Sequence, residues 1–159
     1  MALRLERVPI THPDAARLVE AVQQEYVERY GGRDDSPIDP AAFEGDLGCF
    51  VIGYDGAEPV VTGAWRRRTV PEGAPGTSAV ELKRMYVVPG ARGRGHARAM
   101  LAHLEESARA AGADVVVLET GTRQPEAIAL YEACGYTRIP GFGHYRDAPL
   151  SRCFARALG

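Results

Sequence analysis

The segment Arg92-Gly93-Arg94-Gly95-His96-Ala97 limits the fold of this chain more than any other stretch. An apolar run, Met85-Tyr86-Val87-Val88, leads into it through the breakers Pro89 and Gly90. After it, Ala97, Met100, Leu101, Leu104 and Ala108 recur at i, i+3, i+4 spacing and form one apolar helix face. A strand, a glycine-rich turn and a helix therefore follow in that order. The first amides of a helix lack intrahelical partners and carry the positive end of its dipole. Glycines let a ligand come close to the backbone, so such a turn is a natural cradle for phosphate or pyrophosphate. Arg92 and Arg94 add positive charge. The plain structural alternative is a tight strand-to-helix turn with solvated arginines.

Two common phosphate loops fit poorly. The P-loop needs Lys followed by Ser or Thr after its last glycine, and neither is present. The dinucleotide fingerprint would put its last small residue at Arg98, whose bulk opposes close packing of helix on sheet. That fold also needs a near-continuous apolar strand before the loop, and Glu81-Leu82-Lys83-Arg84-Met85-Tyr86 is not one. Glu119, after the next apolar run, stands where a ribose-binding acid would, so nicotinamide binding stays open as a minor alternative.

The segment instead resembles the acyl-CoA pyrophosphate loop of the GNAT N-acetyltransferase superfamily, Arg/Gln-x-x-Gly-x-Gly/Ala. Arg92 stands at its first position, Gly95 at its fourth and Ala97 at its last. Met85-Tyr86-Val87-Val88-Pro89 is similar to the strand before that loop. Ala127 to Tyr136 is similar to the later family segment Ala-x-x-Leu-Tyr-x-x-x-Gly-Phe/Tyr. The three blocks lie in the C-terminal half. The resemblance implies an acetyl-CoA-dependent N-acetyltransferase that works by direct attack of an amine in a ternary complex, with a small-molecule amine as acceptor. A non-catalytic acyl-CoA sensor or scaffold, and acetylation of a protein or peptide amine, remain open.

The chain has 159 residues and 45% hydrophobic content, enough for one domain spanning 1–159. A net charge of −2 offers no electrostatic case for nucleic acid or an anionic membrane. Lys83 is the only lysine. Neither a signal-peptide stretch nor a membrane-length apolar run is seen, so the expected location is cytoplasmic. Cys49, Cys134 and Cys153 show no zinc or redox spacing and read as buried, reduced thiols; no metal is expected. A homodimer is left open.

Hydrophobic periodicity and breakers predict strands over 3–8, 48–54, 59–67, 79–88, 113–120, 136–139 and 151–157. Thr11-His12-Pro13-Asp14 reads as a capping box opening a helix that Gly31-Gly32 stops. A short helix begins at Asp39-Pro40, a long one ends near Ala111, and another covers Gln124 to Cys134. The order is β-α-α-β-β-β-α-β-α-β-β. It describes an α/β domain whose mixed, mostly antiparallel sheet is flanked by helices, in agreement with the GNAT fold.

Acetyl transfer from a thioester to an amine needs a phosphate clamp, an oxyanion donor, a base for an ammonium of pKa about 10 and an acid for the leaving thiolate. By the resemblance, the backbone of Arg92, Gly93, Arg94, Gly95, His96 and Ala97 is the clamp. The amides of Met85 and Val87, on a locally splayed strand, serve the pantetheine and the oxyanion. Glu81, eleven residues before Arg92, matches the spacing of the catalytic glutamate in histone-acetylating members. Strand alternation predicts that Glu81, Lys83, Met85 and Val87 share a face. The plain alternative for Glu81 is a salt bridge to Lys83 or Arg84. Tyr131 matches the family tyrosine that points at the CoA sulfur; its alternative is a core tyrosine. Gln124 falls where many members have a pantetheine-binding asparagine. Glu119, Arg123 and His144 are further candidates facing the acceptor, with Glu119 and His144 as alternative bases.

Overall fold

A seven-stranded sheet runs through the computed structural model, which describes residues 3–35 and 39–159. Its strands are β1 (Arg4–Arg7), β2 (Gly48–Asp55), β3 (Glu58–Arg68), β4 (Ala79–Val87), β5 (Val115–Gly121), β6 (Thr137–Ile139) and β7 (Ser151–Ala157). They lie in the order β1-β2-β3-β4-β5-β7-β6, and β4 with β5 is the parallel pair in an otherwise antiparallel sheet. The helices are α1 (Pro13–Tyr30), α2 (His96–Ala110) and α3 (Pro125–Ala133). The architecture is the mixed, mostly antiparallel α/β fold that the sequence predicts.

Local differences have local causes. The short helix expected after Asp39 is a four-residue 3-10 turn, Pro40–Phe43, capped by Asp39 through the Ala41 amide at 3.0 Å. Helix α1 is capped by His12 and not by Thr11: His12 Nδ1 accepts from the Asp14 amide at 3.1 Å. A residue before proline is pushed into extended backbone, and His12, at ψ 139°, takes that conformation and becomes the cap. Cys49 and Cys153 are buried free thiols as expected, but Cys134 is only half-buried.

The apolar face of α2, Met100, Leu101, Leu104 and Ala108, packs on Val80 and Leu82 of β4 and on Val116 and Leu118 of β5. On the other face of the sheet, Ala15 of α1 meets Phe50, Ile52 and Ala64, while Leu18 and Val22 meet Tyr86. The sheet is thus covered on both sides near its centre. β4 lies at that centre, which is why a helix contacts each of its faces.

The register of β3 on β4 slips by one residue. Thr62 opposes Tyr86 and Ala64 opposes Lys83, so Arg84 and Met85 together face Gly63. This is a β-bulge. Arg84 has φ +58°, the left-handed region that a bulky residue rarely adopts. The Thr62 hydroxyl donates to the Arg84 carbonyl at 2.7 Å and holds the turn of the strand. The extra residue reverses the side-chain alternation. Met85 and Val87 join Val80 and Leu82 on the α2 side, leaving Glu81 and Lys83 on the opposite face. The expected common face for Glu81, Lys83, Met85 and Val87 is therefore corrected.

The bulge also ends a pairing. β4 and β5 are in register from Ala79 opposite Val115 to Leu82 opposite Leu118, and then part. Gly63 leaves room for this geometry: a Cβ there would lie 2.6 Å from Leu104 Cδ1, 2.7 Å from Met100 Cγ and 2.9 Å from Met85 Sδ. Gly63→Ala is expected to overpack the bulge and cost about 1–3 kcal/mol. A lowered urea midpoint at unchanged slope would show it; an unchanged midpoint would mean that the α2 contacts yield freely.

Candidate active site

Where β4 and β5 part, each presents backbone to a shared gap. The Val88 amide donates to the Val60 carbonyl at 2.9 Å, across to β3. Amides alternate sides along a strand, so those of Val87 and Met85 point the other way, into the gap. These are the two amides that the family resemblance singles out. They have no β5 partner, because the pairing has ended at Leu82.

Two clefts meet here. One, of about 360 Å³, lies against the glycine-rich turn and is lined by Val87, Arg92, Gly93, Gly95, His96 and Ala97 among others. The second, about 730 Å³, continues past Glu81, Lys83 and Glu119 to the loop at 143–151. Met85, Gln124, Ala127 and Tyr131 line both, so the clefts are continuous through the gap. Their sizes fall in the range of small-molecule and cofactor sites.

The turn is built as an anion cradle. Gly93 and Gly95 sit at φ +80° and +81°, which strains any side-chain-bearing residue, and the space beside both is open. Helix α2 starts at His96 with Gly95 as a cap that offers no side chain, so its first amides are left for a ligand. Arg92 is held beside the turn: its Nε donates to the Val87 carbonyl at 2.9 Å, and its Nη2 lies 2.9 and 3.1 Å from the two oxygens of Glu25. His96 Nε2 is buried in this wall and has no hydrogen-bond partner among the described residues. Arg94 reaches outward to Asp55 at 3.8 Å.

The other candidates divide by location. Tyr131 is buried in the wall between the clefts, edge-on to Tyr136 at 5.7 Å between ring centres, and burial pushes its phenol pKa up. Gln124 caps α3 and accepts from the Tyr30 hydroxyl at 3.2 Å. Glu81 is buried within an ion cluster: Arg66 Nη2 is 3.3 Å and Arg68 Nη1 3.7 Å from its Oε1, and Lys83 Nζ is 3.7 Å from its Oε2. Arg84 is not a partner of Glu81; it pairs with Asp34 at 3.5 Å. Glu119 follows Leu118, the last β5 residue paired with β4, and is itself paired with Cys153 of β7. Burial, helped by the charges of Asp34 and Glu81 and opposed by Lys83 and His144, raises its pKa to about 7. His144 is tied to Asp35 at 3.0 Å, and Tyr145 donates to Asp34 at 3.0 Å and to Asp35 at 2.6 Å. Arg123 turns away and donates to the Arg29 carbonyl at 2.9 Å.

Sequence reading missed Arg66, Arg68 and Asp34, whereas Tyr145 stands with His144 in the loop whose aromatic and charged residues suggest acceptor recognition. The one signal for the arginines is the charged end, Arg66-Arg67-Arg68, of an otherwise apolar strand. Asp34 and Tyr145 come from separate loops that only the tertiary fold joins.

Residues 15–136 match the profile of the Acetyltransferase (GNAT) family. An IAA acetyltransferase from Azospirillum brasilense is 46% identical over 78 residues, 49% of this chain and 51% of that protein. The chain thus spans about half the length of that relative. A solved structure from Klebsiella pneumoniae, assigned as an acyl-CoA N-acyltransferase, superposes with a TM-score of 0.78 at 27% identity, covering 99% of this chain and 98% of the other. A structure assigned as an acetyltransferase, from Salmonella typhimurium with its cofactor acetyl-CoA, shares the fold with a TM-score of 0.72 at 17% identity, covering 100% and 95%.

Gly95→Asp adds strain and a negative charge where a pyrophosphate would sit. Acetyl-CoA affinity is expected to fall by about tenfold or more, with the far-UV spectrum unchanged. Titration calorimetry checks this, and unchanged affinity would contradict the anion cradle.

Proposed function

The chain belongs to the GNAT family of acetyltransferases, and from that premise we propose that it moves the acetyl group of acetyl-CoA to the primary amine of a small molecule, by direct attack in a ternary complex. One observation carries this reading: the anion cradle and a carboxyl group with a pKa of about 7 open into one continuous cleft across the β4–β5 gap.

The pyrophosphate of CoA rests on the amides from Arg92 to Ala97, with Arg92 released from Glu25 to meet it. The pantetheine runs through the gap past Gln124, bringing the thioester under the amides of Met85 and Val87. The amine nitrogen attacks the thioester carbon. The carbonyl oxygen becomes an oxyanion that these amides receive without rearrangement, since no β5 strand competes for them. The carbon–sulfur bond then breaks. The Tyr131 phenol, kept protonated by burial, gives its proton to the departing thiolate and regains one from the second proton that the attacking nitrogen sheds as the amide forms.

The proton of the ammonium goes to Glu119. Both oxygens of Glu81 are engaged by cations, Oε1 by two arginines and Oε2 by Lys83, which leaves that carboxylate poorly placed to accept a proton. Glu119 sits in the open part of the gap, and a base of pKa about 7 is matched to neutral operation. His144, held by Asp35 at the rim, is less well placed. The acceptor is small because two loops close the far side of the cleft. Asp34 and Asp35 are bonded there to Tyr145, and Asp35 also to His144.

A thiol-release assay with acetyl-CoA and an amine panel tests the activity. Thiol release with a primary amine is expected; acetyl-CoA binding without release for any amine would favour a sensor. For the base, kcat/KM should rise with pH through about 7 and then level, because Glu119 acts only when ionised. Glu119→Gln should lower the rate by about 10²–10⁴-fold, abolish that rise, and recover partly at high pH where the amine loses its own proton. A Gln variant with the same rate and the same pH limb would remove Glu119 from the mechanism.

A further inference from the structure

The acceptor side of the cleft has a cluster of cations in its wall. Arg66, Arg68 and Lys83 all gather on the single carboxylate of Glu81. Their side chains are only 26%, 23% and 16% exposed, so bulk water screens them weakly. Elsewhere on the same wall, Arg33 pairs with Glu20 at 2.8 Å and Arg84 with Asp34 at 3.5 Å. Burying charge without a partner is costly. An uncompensated cationic group in a cleft is therefore a seat for an anion.

The three cations differ in what they face. Arg68 is committed to structure: its Nε donates to the Thr69 carbonyl at 2.8 Å, and its guanidinium lies 4.4 Å from the centre of the Phe142 ring. It does not line the cleft, whereas Arg66 and Lys83 do. Arg68 can satisfy Glu81 from behind, which leaves the front pair open to a ligand. Lys83 Nζ stands 3.7 Å from Glu81 and has no other ion pair within 4 Å among the described residues. Glu81, Lys83 and Glu119 lie on one face of adjacent parallel strands, because Glu81 opposes Val117 and the alternation continues to 83 and 119. A group held by Arg66 and Lys83 is therefore a near neighbour of Glu119.

Resting on the acetyltransferase reading, we propose that the acceptor is an amine that also carries a carboxylate, an amino acid or a close analogue, with Arg66 and Lys83 holding the carboxylate and Glu119 facing the amino group. The arrangement gives each end of a zwitterion a partner of opposite sign. It also explains why Glu81 is so heavily paired: it orients the cations and is not itself offered to the amine. A polyamine meets repulsion in the same place, since its second ammonium would face two cations.

The test compares matched compounds with the full chain. Phenylalanine, methionine and glutamate are each paired with their α-amides and their decarboxylated amines. Thiol release from acetyl-CoA is followed, and binding to the CoA-loaded protein is measured by calorimetry. The amine of an amide loses its proton more readily, so intrinsic reactivity favours the amide and any preference for the acid comes from the site. For at least one set, the acid should exceed both partners by roughly 10–100-fold in kcat/KM and in affinity, the factor carried by one hydrogen bond to a charged group. Arg66→Gln should raise KM for the acid by a similar factor and raise KM for the decarboxylated amine by much less. Equal or better use and binding of the amides and decarboxylated amines would overturn the proposal, as would an Arg66→Gln variant that weakens both kinds of compound alike. Absence of turnover with every compound would defeat the acetyltransferase reading, while the calorimetric comparison would still decide whether the site takes a carboxylate.

Discussion

The hydrogen bond from Thr62 to the Arg84 carbonyl holds the feature on which the rest of the site depends. It fixes a bulge in the central strand, and the bulge does three things together. It turns β4 away from β5 and so opens the gap. It frees two amides of β4 from sheet pairing. It reverses the side-chain alternation, so that apolar Met85 and Val87 pack beneath α2 while Glu81 and Lys83 face the acceptor side. An unbroken β4 would pair along its whole length and leave neither a channel nor free donors. The positive φ at Arg84 is a local strain that the ion pair with Asp34 and the packing of α2 on Met85 help to hold.

Charge is distributed along the cleft in sequence. Glycine-backed amides and Arg92 stand at one end, suited to a diphosphate. Near-neutral surfaces of Met85, Ala127 and Tyr131 form the middle. At the far end a carboxyl group poised near neutrality sits beside Arg66 and Lys83. The same Lys83 that pairs with Glu81 also draws down the pKa of Glu119, so one side chain acts on both carboxyl groups. This lysine is the only one in the chain.

The glycine-rich turn and the helix after it were legible in the sequence because they depend on local chemistry. Gly93 and Gly95 are required by their own backbone angles, and the helix that follows Gly95 is written in the spacing of Met100, Leu101 and Leu104. Tyr131 was found through the segment Ala127 to Tyr136, whose pattern is likewise local. The faces of the β4 side chains beyond Lys83 were not legible for a physical reason. Strand alternation assumes an unbroken ladder, and the one-residue bulge at Arg84 changes the face of every residue beyond it. Nothing in Leu82-Lys83-Arg84-Met85 marks a bulge, since its cause lies across the sheet at Thr62 and Gly63. Glu81 and Glu119 looked alike as strand glutamates; their environments separate them only when Arg66 and Arg68 of β3 close on the first and leave the second half-buried. The loops carrying Asp34 and Tyr145 are more than a hundred residues apart in sequence, and only folding makes them one wall.

Whether the β4–β5 gap seats the acetyl-CoA thioester is decided by a crystal structure with bound acetyl-CoA. The pyrophosphate is expected on the amides of residues 92–97, and the thioester carbonyl oxygen about 2.7–3.1 Å from the amide nitrogen of Met85 or Val87. A structure with the acyl chain outside the gap, and both amides turned to water, would contradict this seating.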